Sequence, residues 1–413
     1  PSPEQRQRSK DLYSLLEDAN NYYQLQLKNT TQAIDYLKNR DLSGEICKRF
    51  NIGYSIAGWD NVLKYFVNNK NHNYSEQQLV DSGLVIQKDD GKMYDRYRER
   101  IMFPIRNRKG QVIGFGGRVL GDDLPKYINS PETTIFHKGR ELYGLYEARK
   151  NTQKLDRIIV VEGYMDVIAL AQYDISYAVA TLGTATTQDH IKQLFRAVPE
   201  IIFCFDGDRA GREAAWRALE NALPVMQDGK EIRFLFLPDG EDPDTMVRKI
   251  GKDAFMEMLD NAMPLSRFFF ENQLKTHKVG TPEGKIALRK AAMPLIESVQ
   301  GDDQKQMLLE ELAKHTGEYD RFKLQQDISK ANHASSKPAY SANRNQVGKA
   351  RLSPLRMLIR LLLDSPSLAT RCDDVQPSVF EGSDATGMDL LLDIHRYCAQ
   401  YPQATTAQLV ENF

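Results

Sequence analysis

A chain of 413 residues, 41% apolar and 27% charged, is long enough for roughly two to four domains with buried cores. Its 55 Lys and Arg nearly balance 56 Asp and Glu, so the net charge of −1 selects no class of partner and only the distribution of charge is informative. No apolar run approaches the roughly 18 residues of a membrane span, no signal peptide opens the chain, and Cys47, Cys204, Cys372 and Cys398 lack CxxC spacing, so a membrane protein, a disulfide scaffold and a resident zinc module are not expected. A reducing cytoplasm fits. Cys204, inside an apolar strand, reads as a small core residue.

Residues 1–75 read as mostly helical. Arg8–Asn29 carries Leu12, Leu15, Leu16, Tyr22 or Tyr23, and Leu27 at helical spacing, and Thr30 or Thr31 caps a second helix through Leu37. Ser75 precedes Gln78 by three, the capping-box spacing, at the head of a short helix over Ser75–Ser82. From residue 93 the period changes. Ile101–Ile105 and Gln111–Leu120 read as strands joined by the hairpin signal Asn107-Arg108-Lys109-Gly110. Arg96 and Arg98, two apart, are expected to face one side. Gly114, Gly116 and Gly117 imply close approach by another chain or a ligand. With Arg118, Lys126, Tyr127, Asn129 and Lys138 they make a candidate basic channel; the alternative is a solvated strand face with scattered charges. Residues 92–150 hold thirteen Lys or Arg against seven Asp or Glu, which favours the channel. Phosphate contacts there would give salt-dependent, sequence-tolerant binding. Tyr127 either stacks a base or is buried.

The next stretch alternates strand and helix. Arg157–Val161, Tyr177–Ala180, Ile201–Phe205 and Ile232–Leu237 read as strands. Met165–Gln172, Gln188–Ala197 and Arg209–Leu223 read as helices, the last stopped by Pro224. This alternation implies a mostly parallel sheet, whose ligands sit beyond the carboxyl ends of the strands. Glu162, Asp206, Asp208, Asp242 and Asp244 all follow strand ends, so they converge on one edge although far apart in sequence. Carboxylates gathered in this way repel unless a cation neutralises them. Asp206 and Asp208 can face one ion, with Gly207 leaving the turn open. An all-oxygen donor set favours Mg²⁺ or Mn²⁺, and two such ions can clamp the attacking and leaving oxygens of a phosphoryl transfer. The competing reading is that these Asp residues only cap helices and turns. A phosphatase-type Asp-x-Asp site is disfavoured by the Arg-Ala-Gly after Asp208. Asp166, four residues after Glu162, either supports the ligands or places a favourable charge at a helix N-terminus. Thr181–Thr187 is either a phosphate-approach loop or a capping turn.

Residues 245–330 return to helical patterns at Lys252–Asp260, Leu265–Leu274, Gly284–Ser298 and Gln304–Thr316, a small bundle with no site signal. Residues 331–349 are polar and read as a linker. The apolar LRMLIRLLL follows Ser353 and Pro354, and helical patterns recur at Met388–Ala399 and Thr405–Phe413.

The Glu after one strand and the Asp-Gly-Asp after another resemble the Toprim fold of topoisomerases, some nucleases and bacterial primases. VEGYMDV, FDGDRAGREAAWRAL and LPDGEDPDTMV, with RYRERIMFPI, GFGGRVL, PKYINSPET and FHKGRELYGL, resemble the bacterial replicative DNA primase family over roughly residues 1–330. The resemblance implies an α/β class. A Toprim subdomain (156–244), a mostly parallel sheet flanked by helices, lies between a mixed α+β N-terminal subdomain (1–155) and a helical bundle (245–330). A linker (331–349) and a helical helicase-binding domain (350–413), expected to be incomplete, follow. It implies synthesis of short RNA primers on single-stranded DNA at the replication fork by two-metal nucleotidyl transfer. Glu162, Asp206 and Asp208 would be catalytic and metal-bearing, and Asp242, Asp244 and Asp166 would complete the metal set. Arg40, Arg96, Arg98, Arg118, Lys126, Tyr127, Asn129 and Lys138 would contact nucleic acid or nucleotide. Arg40 is followed by Asp41 where the family commonly has Gly. Implied partners are template, RNA primer, ribonucleoside triphosphates, the replicative helicase and single-strand-binding protein, with the chain a monomer in the bacterial cytoplasm, at the nucleoid-associated replisome. Zinc is expected only in an N-terminal module outside this sequence, and the Pro-Ser-Pro opening without Met leads us to expect a fragment. The alternatives are another Toprim enzyme, topoisomerase or nuclease, or a non-catalytic scaffold for helicase and single-stranded DNA.

Overall fold

The computed structural model describes residues 3–67, 74–121, 124–152, 154–318, 362 and 388–401. Residues Pro1–Ala331 form one compact unit and Asn332–Phe413 a second. In the first unit, α1 (Pro3–Lys28) buries Leu12, Leu15, Leu16, Ala19, Tyr22, Tyr23 and Leu27, the stripe that the helical spacing predicts. α2 (Thr31–Asn39) and α3 (Gly44–Arg49) follow; Ser43 caps α3, whereas the Thr30 hydroxyl turns back to the Gln26 carbonyl at 2.8 Å. Then come β1 (Gly53–Ser55), α4 (Asn61–Val67), α5 (Glu76–Asp81), and the paired strands β2 (Val85–Gln87) and β3 (Met93–Asp95). The expected capping box is present, with the Ser75 hydroxyl accepting from Gln78 N.

β4 (Arg100–Arg106) and β5 (Val112–Val119) form the expected hairpin. Asn107 Oδ1 accepts from the amides of Lys109 and Gln111 across the turn. With β6 (Tyr127–Asn129) they build an antiparallel sheet ordered β1-β4-β5-β6. Here one expectation is corrected. The neighbours that require small residues at Gly114, Gly116 and Gly117 are the protein's own side chains. A Cβ at Gly116 would lie 2.5 Å from the Tyr164 ring, at Gly117 2.9 Å from Tyr97, and at Gly114 3.1 Å from Ser130. The glycines of β5 are buried, so this strand is core and not a cradle for a ligand.

After α6 (Leu145–Asn151) comes the second sheet, ordered β11-β10-β9-β7-β8. β7 (Arg157–Val161), β8 (Ala178–Ala180), β9 (Glu200–Phe205) and β10 (Glu231–Phe236) are parallel, and β11 (Met263–Pro264) is an antiparallel edge. The helices are α7 (Tyr164–Gln172), α8 (Gln188–Phe195), α9 (Arg209–Ala222) and α10 (Pro243–Asp260). A 3-10 turn at Leu223–Val225, carrying Pro224, ends α9 as expected. Alternation at period two sends Ile159, Val161, Ile202, Cys204 and Leu235 to one face, against α7, α10 and the N-terminal elements. Ile158, Val160, Ile201, Phe203 and Phe234 go to the other, against α8, α9 and the bundle α11 (Leu265–Thr276), α12 (Pro282–Glu297) and α13 (Asp302–Thr316). The N-terminal subdomain and the parallel sheet therefore share one continuous core.

The second unit contributes α14 (Met388–Gln400), with Ile394 and Cys398 buried. The linker expected at 331–349, the apolar segment after Pro354 (Leu362 apart), Cys372 and the helix expected at Thr405–Phe413 lie outside the described residues. No described helix is long and apolar enough to cross a membrane.

Because Tyr164 packs where a Cβ at Gly116 would stand, Gly116→Ala should lower unfolding free energy by about 1–3 kcal/mol in urea titration. An unchanged midpoint would show that Tyr164 does not depend on that glycine.

Candidate active site

Each carboxylate of the acidic edge is placed by the element before or after it. Glu162 follows β7, Asp206 follows β9, and Asp208 is the N-cap of α9, its Oδ1 accepting from Gly211 N at 2.7 Å. Asp242 is the N-cap of α10, its Oδ1 accepting from Thr245 N at 2.7 Å. Capping and clustering thus hold together, and the two readings of these residues do not exclude each other. Gly207 lies against the Leu237 carbonyl, where a Cβ would collide, so close packing of the β9 and β10 ends is what fixes the residue there. Asp166, in the first turn of α7, accepts from Gly163 N at 3.1 Å and, more weakly, from Asp244 N at 3.4 Å. It braces two helix N-termini from within.

The electrostatics are those of uncompensated negative charge. Burial raises the proton affinity of Glu162, and the charges of Asp206 and Asp208 add to it. Asp206 is raised by burial and then by Asp242 and Asp208. Asp166 is pushed up to about 8 by burial, then by Asp242 and Asp244, against the two amides it accepts. Among the described residues, no Lys or Arg side-chain nitrogen lies within 4.0 Å of a carboxylate oxygen of Glu162, Asp206, Asp208 or Asp242. Nor do three His, Cys, Asp or Glu side chains among them form a ready-made ion cage. Mg²⁺ takes only one or two protein carboxylates and keeps water or phosphate in its other positions, so no such cage is required. The all-oxygen donors and their mutual repulsion fit a hard divalent ion. Asp244 differs: its side chain is 2% exposed and lies between Arg248, 3.0 Å away, and Arg40, 3.6 Å away.

Beside this edge runs a row of cations and rings. The Arg40 guanidinium carbon lies 5.8 Å from the Tyr36 centroid, and that of Arg118 lies 6.0 Å from the same ring. Arg118 also lies 5.2 Å from the Tyr127 centroid and donates to its hydroxyl at 2.7 Å. Desolvation pushes the Tyr127 hydroxyl up to about 12; Arg118 opposes this and the Asp166 charge adds to it, so the row and the edge feel each other. The Tyr164 hydroxyl donates to Asn129 Oδ1 at 2.7 Å, and Asn129 Nδ2 donates to the Leu182 carbonyl at 2.9 Å, tying β6 to the loop after β8. That loop ends as a cap: the Thr187 hydroxyl accepts from His190 N and donates to the Gly139 carbonyl. His190 Nε2 donates to the Lys138 carbonyl at 2.9 Å, which anchors the backbone that carries Lys138. Lys126 is exposed beside Tyr127.

Arg96 and Arg98 lie beyond the end of β3, and each has partners of its own. Arg96 Nε donates to the Gly83 carbonyl at 2.7 Å. Arg98 donates to the Asp95 carbonyl and stacks 4.3 Å over Trp59 and 5.3 Å from Tyr94. Trp59, 64% exposed, and Tyr36 are ring partners that sequence reasoning missed. No spacing rule marks an aromatic side chain that stacks on an arginine from another element. Past Asp208 a cavity of about 640 Å³ opens, lined by Arg209, Arg212 and Arg217.

A parallel sheet that ends in a Glu and an Asp-Gly-Asp, beside a basic and aromatic row, defines a Toprim-type core. Comparison with known proteins narrows the class. Family models match for DNA primase catalytic core, N-terminal domain (residues 22–149), Toprim-like (159–247), DnaB-helicase binding domain of primase (266–317) and DNA primase DnaG DnaB-binding (355–413). The chain is 48% identical to the DNA primase of Escherichia coli K12, across 100% of this chain and 69% of that one. It is 53% identical to the DNA primase of Pseudomonas aeruginosa across 74% of this chain and 46% of that one. A solved structure of the DnaG primase catalytic domain bound to ssDNA is 54% identical, with a TM-score of 0.72 over 76% of this chain and 98% of that one. The chain belongs to the DNA primase family, the DNA-directed RNA polymerases that make RNA primers, a family whose Toprim domain implies the use of divalent metal.

Asp208→Asn keeps the cap and removes the charge, so it should unfold within about 0.5 kcal/mol of wild type, whereas Asp208→Ala should lose about 1 kcal/mol. Both should lose primer synthesis at least about 100-fold. Full activity in Asp208→Asn would reduce Asp208 to a cap.

Proposed function

We propose that single-stranded template lies along the row of Arg40, Arg118, Lys126, Tyr127 and Asn129, and that ribonucleotides are joined at the neighbouring acidic edge. The observation that carries this reading is the adjacency itself, with Arg40 of the row 3.6 Å from Asp244 of the edge. A polyanion held by arginines comes to lie next to carboxylates that lack cations of their own.

In this reading Glu162, Asp206 and Asp208 hold one Mg²⁺ or Mn²⁺, and Asp242 helps to hold a second. When bound, such ions neutralise charge on the reacting phosphate and favour the ionised form of the attacking hydroxyl. The 3′-hydroxyl oxygen forms a bond to the α-phosphorus of the incoming nucleotide, the bond to the bridging oxygen breaks, and pyrophosphate leaves. The alternative role for Glu162 is that of general base, in which it stays off the ion and accepts the hydroxyl proton; as an ion ligand it leaves that proton to water. Arg118, Lys126 and Lys138 offset triphosphate and backbone charge, an electrostatic task with no covalent step. Arg98, stacked on Trp59, and Arg96 extend the phosphate-binding surface. Asp166 supports the edge from behind. The replicative helicase is the partner inferred for residues 355–413, and for 266–317, from the family models matched there.

Incorporation of labelled ribonucleotides on single-stranded DNA tests the assignment. Asp206→Ala should abolish synthesis and leave single-strand binding largely intact, while Arg98→Ala should weaken binding on every sequence and lower the salt slope by about 1. Synthesis by Asp206→Ala at the wild-type rate would overturn the assignment of the edge, and an unchanged slope would remove Arg98 from the binding surface.

A further inference from the structure

Among the described residues, Asp244 is the edge carboxylate with ion-pair partners. Arg248, one turn on in α10, brings Nε to 3.0 Å from Oδ1. Arg40, just past the end of α2, brings Nη1 to 3.6 Å from Oδ2. Arg248 also reaches across to Asp41, with Nη1 3.4 Å from Oδ2. Four charges of alternating sign therefore bridge the seam between the α2 corner and α10, in the order Arg40, Asp244, Arg248, Asp41. Neither carboxylate oxygen of Asp244 accepts an aligned hydrogen bond from these partners, whereas its backbone carbonyl accepts from Arg248 Nε at 3.3 Å, so the attraction between the side chains is Coulombic, acting on a carboxylate whose side chain is 2% exposed. Asp41 takes part from left-handed backbone, φ 57°, a conformation that Asp and Asn tolerate better than most residues.

Arg40 is also one end of the cation and ring row. Its guanidinium lies over Tyr36, and Arg118 lies over the same ring while donating to Tyr127. Whatever fixes Arg40 therefore fixes one end of the Arg40–Tyr36–Arg118–Tyr127 row. A carboxylate already flanked by two guanidiniums has little field left for a divalent ion, which its neighbours Asp206 and Asp242 are better placed to draw.

We propose that Asp244 is a positioning residue and not an ion ligand: it pins Arg40 against the edge, and Arg248 with Asp41 completes a clamp that sets the spacing between the template row and the ion-binding carboxylates. The proposal rests on the reading of the groove given above.

Mn²⁺ titration followed by electron paramagnetic resonance, with steady-state primer synthesis over a range of template concentrations, tests it on the whole chain. Asp244→Asn should keep Mn²⁺ affinity within about twofold, where Asp206→Asn loses at least about tenfold. Its template KM should rise about fivefold or more, with a smaller change in kcat, because Arg40 is released while the ion site is kept. Asp41→Asn keeps the left-handed backbone and removes only the outer pair, so it should raise template KM about twofold. Should Asp244→Asn not fold, Asp244→Asn with Arg248→Gln removes one charge of each sign and carries the same measurements. Mn²⁺ loss in Asp244→Asn equal to that in Asp206→Asn would make Asp244 a ligand and overturn the clamp alone. An unchanged template KM in both Asp244→Asn and Asp41→Asn would also overturn it. Absence of Mn²⁺ binding in wild type would sink the assignment of the whole edge along with the clamp.

Discussion

Negative charges that the backbone forces together govern the site. Parallel strands release their chains at the same end of the sheet, so Glu162, Asp206 and the segment after β10 meet there whatever their separation in sequence. The fold tolerates the repulsion partly because helix N-termini start at the same edge. Asp208 and Asp242 satisfy amides of α9 and α10, and Asp166 satisfies amides at the heads of α7 and α10. Those bonds hold the carboxylates in place without neutralising them. What remains is a demand for positive charge, and the chemistry of the family meets it with divalent ions.

Positive side chains stand nearby without collapsing onto that edge. Arg118 is engaged by the Tyr127 hydroxyl and by two rings, and Arg98 by a carbonyl and Trp59. Stacking holds a guanidinium flat while leaving its charge available to a phosphate. Asp244 is the exception that binds the two regions together. It meets Arg40 from one subdomain and Arg248 from its own helix.

Much of this was legible before any coordinates. Short continuous apolar runs mark β7, β9 and β10, since both faces of that sheet are covered, and helical spacing marks α1, α7 to α9, the part of α10 after Gly251, and α11 to α13. The convergence of the edge follows from strand–helix alternation alone, and capping was a stated alternative for its aspartates. Other features depend on contacts between distant segments that no local pattern records. The β5 glycines read as a place for a ligand, but the approaching groups are Tyr164, Tyr97 and Ser130. The spacing of Arg96 and Arg98 allows them one face, but it does not show that the chain leaves β3 before reaching them or that each finds a partner of its own. Asp244 looked equivalent to Asp242, two residues away. About half a turn of helix separates a capping carboxylate from one buried between guanidiniums, and the positions of Arg40 and Arg248 tell them apart.

Anomalous diffraction from crystals soaked in Mn²⁺ and a ribonucleoside triphosphate bears on the central claim most directly. The account predicts a manganese peak within about 2.0–2.3 Å of carboxylate oxygens among Glu162, Asp206 and Asp208, with the triphosphate completing its coordination. Manganese held only by the nucleotide, with those three side chains turned away from it, would contradict the account.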